Sequence, residues 1–117
     1  MATNFSKKDM IKLQNLLRKS KKTITTAESC TGGLVASIIT KISGSSDIFN
    51  GSIVTYSNSI KNKELGVLNE SLDKFGAVSK QVVSEMLDGV LKKFEANFAI
   101  AISGVAGPNG GTKNKPV

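Results

Sequence analysis

Histidine is absent from the 117 residues, which removes the commonest routes to an activated nucleophile. Ser-His-Asp and Cys-His chemistry are excluded, and a zinc site would have only Cys30 and carboxylates to draw on, so no metal is expected. Any nucleophile must be activated by lysine, tyrosine, a carboxylate or backbone dipoles. Cysteine is nearly absent as well. Cys30 alone builds no disulfide framework, which fits a reducing compartment and a cytoplasmic location. Apolar stretches such as Phe98–Ile102 are far too short to cross a bilayer, so no membrane partner is expected. No apolar core follows Lys7 and Lys8 to make a signal peptide, so export is not expected either. Aromatics are scarce: Tyr56 and five phenylalanines, without the basic–aromatic interleaving of single-strand binders.

What is present fits one soluble domain. Apolar residues make up 39% of a chain long enough for a single core and too short for two. The net charge of +7 suits anionic ligands. Yet Lys7, Lys8, Lys12, Arg18, Lys19, Lys21 and Lys22 alternate with the apolar positions of one segment. A solvated helix face explains them better than nucleic acid does.

Phe5, Ile11, Leu13, Leu16 and Leu17 follow a helical period and predict an amphipathic helix over 6–19. Thr23–Thr26 is β-branched and reads as a short buried strand. Leu34, Val35, Ile38, Ile39 and Ile42 predict a second helix, from near Thr31 to just before Gly44. Ile48–Tyr56 has strand character. Helical pieces follow at Lys61–Leu65 and from Asn69, as an N-cap, to Phe75, with Gly76 as a left-handed C-terminal cap. Ser79 caps a longer helix, whose Val82, Met86, Val90 and Phe94 form a stripe widened by Val83, Leu87 and Leu91. Asn97–Ser103 is an uninterrupted apolar run of the kind buried in a parallel sheet. Helices alternating with strands predict a layered α/β domain. Gly107–Pro116 is a polar, glycine-rich loop, and the stop at Val117 gives the expectation of a truncated domain.

Two glycine-rich turns each follow a predicted strand: Ala27–Gly33 and Gly104–Gly111. Ligands of open α/β sheets bind beyond the carboxyl ends of the strands, and turns on neighbouring parallel strands would face one crevice. Glycine lets backbone N–H groups approach an anion, and Gly32 and Gly33 open a helix whose unpaired N–H groups favour phosphate or an oxyanion. A strand-to-helix turn needs small residues in any case. Neither turn matches the P-loop or the dinucleotide-binding spacing. Ser29 and Cys30 are the candidate nucleophiles, although a serine just before a helix is more often a cap and a lone cysteine a small packing residue. Tyr56 and Lys61 follow another predicted strand. A lysine in a partly apolar site loses basicity and can take a serine proton, directly or through a tyrosine. Ser-Tyr-Lys is the most economical triad; strand-end packing for Tyr56 and a solvated helix position for Lys61 are the plainer alternatives.

Taken together, TAESCTGG (Thr26–Gly33), GSSDIFNGSIVTYSNSIKNKELGV (Gly44–Val67), GAVS (Gly76–Ser79) and ISGVAGPNGGTKNKPV (Ile102–Val117) closely resemble the C-terminal domain of the competence/damage-inducible protein CinA. The resemblance runs over nearly the whole chain, residues 1–117. It implies a three-layer α/β/α sandwich around a mostly parallel or mixed sheet. It also implies an amidohydrolase that converts nicotinamide mononucleotide to nicotinate mononucleotide and ammonia, a step of pyridine nucleotide salvage needing no cofactor. By motif match the catalytic residues are Ser29, Tyr56 and Lys61, with Lys61 ahead of Lys63. The substrate-binding residues would come from the two turns: Glu28, Cys30, Thr31, Gly32 and Gly33 in the first, and Ser103, Gly104, Gly107, Gly110 and Gly111 in the second. Glu28 either orients Lys61 or faces solvent. A homodimer is the family-type assembly. Longer family members carry an N-terminal molybdopterin-binding-like domain, so this chain reads as a stand-alone form that ends early. The alternatives are a nucleotide-binding module without turnover and, further off, a basic nucleic-acid-associated protein.

Overall fold

The computed structural model describes residues 5–117. The chain runs through α1 (Lys7–Ser20), β1 (Ile24–Glu28), α2 (Leu34–Thr40), a 3₁₀ turn (Ser45–Asp47), β2 (Ile53–Val54), α3 (Asn58–Leu65), α4 (Asn69–Phe75), α5 (Lys80–Phe94) and β3 (Phe98–Ile102). The three strands form one parallel sheet in the order β2-β1-β3, with Ala27 opposite Ile53 and Ala101. β1 is central and buried along its whole length.

Alternation along β1 divides the core in two. Ile24 packs with Met10, Leu17, Ile39 and Ile48, beneath α1 and α2. Ala27 packs on the opposite face with Leu65, Val67, Leu72, Val82, Met86 and Val90, beneath α3, α4 and α5. The result is a three-layer α/β/α arrangement around a parallel sheet, as expected. Its carboxyl-terminal strand ends carry the turns that matter for function.

Helix starts follow side-chain capping. Ser6 accepts from the Asp9 N–H while Asp9 accepts from the Ser6 N–H, a reciprocal box that starts α1. Ser57 accepts from the Ile60 N–H at the start of α3, and Ser79 from the Val82 N–H at the start of α5. The stripe of α5 is as expected, with Val82, Met86 and Val90 buried.

Several expectations are corrected. The buried face of α1 is Met10, Gln14 and Leu17, while Phe5, Ile11 and Leu16 are exposed. Gln14 is buried because its Nε2 donates to the Ile39 carbonyl at 3.0 Å, closing the end of α2. Asn69 is not a cap: Leu68 holds that position, and its N–H donates to Glu85 Oε1 at 2.8 Å. Gly76 has φ +77° but ψ 163°, outside the left-handed helical basin, because the chain must turn out toward α5. The strand expected over Ile48–Tyr56 shrinks to Ile53–Val54. The Ile48 and Phe49 N–H groups are taken by the Ser45 carbonyl in the preceding turn.

β3 is buried on one face only. Phe98 and Ile100 are exposed, 50% and 39%, because β3 is an edge strand and among the described residues nothing covers its α1-side face beyond α1 itself. Only Ala99 and Ala101, on the other face, pack into a core.

Candidate active site

β1 ends at Glu28, and Ser29 continues its ladder by one step: its N–H donates to the Ile102 carbonyl at 3.0 Å. The Ser29 side chain therefore shares the Ala27 face of the sheet, the face covered by α3 and α5. Two successive turns follow, with the Gly32 N–H bonded to the Ser29 carbonyl and the Leu34 N–H to the Thr31 carbonyl. They require φ of +62° at Gly32 and +103° at Gly33, which only glycine adopts without strain. α2 consequently begins at Leu34, three residues later than expected, and Ser29 is not its cap.

Lys61 sits in the first turn of α3 and is buried, 1% exposed. Its Nζ donates to Ser29 Oγ at 3.0 Å and to the Tyr56 carbonyl at 3.2 Å. Among the described residues, no carboxylate pairs with it. Burial holds its pKa below the usual lysine range, and the neighbouring Cys30 acts weakly in the opposite direction. A buried lysine of lowered basicity, in hydrogen-bond contact with a turn serine, has the geometry that proton transfer from the serine requires.

Glu28 does neither of the things expected of it. It is completely buried on the α2 face, so it neither meets Lys61 nor faces solvent. Its carboxylate accepts from Thr31 Oγ1 at 2.7 Å, from the Val35 and Ala36 N–H groups at 2.9 Å each, and from Thr26 Oγ1 at 3.1 Å. It thus occupies the N-terminal N–H groups of α2 that the sequence offered to a phosphate. Thr31 is committed with it. Burial pushes the Glu28 carboxyl up, but these four hydrogen bonds outweigh it and hold the pKa below the usual glutamate value. The stability this contributes is full above the unfolded pKa and is lost as pH falls through the lowered folded one. Glu28→Gln is expected to cost about 2 kcal/mol at neutral pH, since the amide would turn N–H groups toward N–H groups; urea unfolding measures it.

The remaining candidates divide. Cys30 and Gly104 meet in the site: a Cβ added at Gly104 would stand 3.2 Å from Cys30 Sγ. Among the described residues, the N–H groups of Cys30, Thr31 and Gly33 make no backbone hydrogen bond. Those of Cys30 and Thr31 directly follow Ser29. Ser103 is drawn away, its hydroxyl donating to the Ala77 carbonyl at 2.9 Å. Gly107 and Gly111 pack against Val117, and Gly110 takes φ +93° in the same loop. Lys115 ties that loop to the end of α4 by donating to the Phe75 carbonyl at 2.7 Å. The Tyr56 ring is exposed, 63%, and its hydroxyl makes no hydrogen bond among the described residues. Tyr56 reaches the site through its backbone. A cleft of about 650 Å³ between α3 and α5 lies elsewhere and is lined by neither Ser29 nor Lys61.

The fold and the site define a class: a parallel α/β/α domain with a serine–lysine pair at the carboxyl ends of its strands. The CinA C-terminal domain model matches residues 7–117, and the chain belongs to that family. A CinA-like protein of Prochlorococcus marinus strain MIT 9312 is 60% identical over 101 residues, 86% of this chain and 24% of its own length. One from Thermotoga neapolitana is 52% identical over 102 residues, 87% of this chain and 25% of its own. The chain thus spans about a quarter of the length of these relatives. Among solved structures, the competence/damage inducible protein CihA from Agrobacterium tumefaciens superposes with a TM-score of 0.90 at 44% identity. That match covers 92% of this chain and 66% of CihA. A CinA superfamily protein from Escherichia coli gives 0.89 at 33% identity, covering 99% and 68%.

Proposed function

We propose that this chain carries the catalytic pair of an amidohydrolase that converts nicotinamide mononucleotide to nicotinate mononucleotide and ammonia. The observation that carries the reading is the contact of Lys61 Nζ with Ser29 Oγ at 3.0 Å in a buried setting, with no ion-pair partner for Lys61 among the described residues. The carboxamide and nucleotide character of the substrate rests on the motif resemblance of Thr26–Gly33 and Ile102–Val117 to the family.

The steps balance within the pair. Neutral Lys61 takes the Ser29 proton as Oγ bonds to the carboxamide carbon. The oxyanion forms beside the free Cys30 and Thr31 N–H groups, donors of a kind worth about 3–4 kcal/mol each to such a transition state. The carbon–nitrogen bond then breaks, and Lys61 returns its proton to the departing ammonia. Water attacks the acyl ester, gives a proton to Lys61, and Ser29 recovers it as the ester opens. No proton need pass through Tyr56. Tyr56→Phe is therefore expected to change kcat by no more than about threefold, as an exposed group without a partner does. A loss of tenfold or more would return the hydroxyl to the proton path.

The reading is tested by incubating the purified chain with nicotinamide mononucleotide, measuring ammonia, and searching for an acyl adduct on Ser29 by mass spectrometry. Equal ammonia release by wild type and Ser29→Ala would remove Ser29 as nucleophile. Binding without product would favour a nucleotide-binding module.

A further inference from the structure

Thr55 takes no part in the steps above, yet its side chain is the one buried polar group without a hydrogen-bond partner among the described residues. It is fully buried. A hydroxyl left unpaired in the interior costs about 1–3 kcal/mol, so valine at this position would serve the fold better. Its backbone explains where it stands. The Thr55 N–H donates to the Glu28 carbonyl at 2.8 Å, extending the parallel β1–β2 register by one residue beyond Glu28 and Val54. Thr55 is thus the neighbour of Ser29 across the two strands, about 4.8 Å away along the hydrogen-bonding direction.

Alternation settles its face. Ile53 packs into the core under α3 and α5, whereas Val54 lies against Gly33 at the start of α2. Thr55 falls on the Ile53 face, which also carries Ser29 and receives Lys61. Lys61 Nζ is fixed between Ser29 Oγ on one strand and the Tyr56 carbonyl on the other, immediately beyond Thr55.

An ammonium group has three N–H donors. Two are accounted for at Lys61, by Ser29 and Tyr56. We infer that Thr55 is a positioning residue for Lys61: its hydroxyl accepts the third N–H of the ammonium formed when Lys61 takes the Ser29 proton. The N–H facing Thr55 is present before and after the transfer, but a hydrogen bond donated by an ammonium is roughly twice as strong as one from a neutral amine, so the Thr55 acceptor favours the protonated lysine. Other groups do not supply this. The Glu28 carboxylate on β1 is turned to α2, Glu85 on α5 is held by Leu68 and Gln81, and Cys30 is the one titratable group that acts on Lys61.

The inference deepens the Ser29–Lys61 reading, and its test separates the two. Lys61 is titrated directly in the full chain by NMR of its side-chain Cε and Nζ, in wild type, Thr55→Val and Thr55→Ser. Thr55→Val is expected to titrate at lower pH than wild type and Thr55→Ser to return toward it. Thr55→Val should also melt no lower than wild type, since no existing hydrogen bond is lost. With nicotinamide mononucleotide, kcat should fall by about tenfold in Thr55→Val with KM nearly unchanged, and recover in Thr55→Ser. An unchanged Lys61 titration in Thr55→Val overturns the inference, as does a lower melting temperature with the titration unmoved. If wild type shows no turnover, the amidohydrolase reading fails while the titration still decides the role of Thr55.

Discussion

On the proposed amidohydrolase reading, Lys61→Met is expected to lower the rate of carboxamide hydrolysis by about 10²- to 10⁴-fold, the range for loss of a general base, and at the same time to raise the melting temperature at neutral pH. The two effects share one cause. Lys61 is buried without a carboxylate partner among the described residues, and burial makes its charged form unfavourable. Methionine fills similar volume with no charge to desolvate, so the folded state gains what the active site loses. The pH dependence follows from the lowered pKa. Below the folded pKa the charged lysine imposes its full penalty on folding. As pH rises through the window between the folded and unfolded values, the unfolded chain binds the extra proton and wild type gains stability. Lys61→Met should lack that rise. Activity has the same origin, because only neutral Lys61 accepts the Ser29 proton. Its kcat/KM should climb with pH through a value below the ordinary lysine range and then level. Calorimetry and initial rates from pH 6 to 10 give both curves. A less stable Lys61→Met protein would mean that the ammonium is favourably housed, contrary to the site described.

Gly89→Ala destabilises the fold by about 2 kcal/mol net, although alanine is the better helix former. Gly89 lies inside α5 where that helix crosses the end of α3, and an added Cβ would overlap the Leu65 carbonyl oxygen and carbon. The obstacle is backbone, which cannot rotate away. Helix propensity returns about 1 kcal/mol, and forced separation of two packed helices costs more. The consequence reaches the site. Leu65 is one turn beyond Lys61 on α3, and the Lys61 carbonyl accepts from the Val67 N–H where α3 ends. Pushing the end of α3 outward draws Lys61 from Ser29. Urea unfolding should show the lower stability, and activity measured where the variant remains folded should fall further than the folded fraction accounts for. A variant with wild-type stability would mean that the helices can part freely.

Local patterns carried much of the outcome. The period of Val82, Met86 and Val90 gave α5 its buried face, and Ser6, Ser57 and Ser79 marked helix starts through nearby N–H groups. Such signals act over one helical turn and survive in any surroundings. Asn69 failed as a cap because a distant carboxylate, Glu85, satisfied the Leu68 N–H instead. Phe98–Ile102 showed strand character, but whether a strand is central or at an edge depends on which strands pair beside it.

The sequence by itself determined the chemical repertoire. Without histidine, a serine activated by lysine or tyrosine was the economical route, and the order of helices and strands set the α/β class. Only the tertiary structure showed which of Ser29, Tyr56, Lys61 and Glu28 meet. Crossing from β1 to α3 brought Lys61 Nζ onto Ser29 and left the Tyr56 hydroxyl outside. It also turned Glu28 toward the first N–H groups of α2 and set Thr55 on the strand beside Ser29. Spacing along a chain fixes which face of an element a side chain occupies. What that side chain meets depends on contacts between residues some thirty positions apart, such as Ser29 and Lys61, and on burial, which sets their protonation.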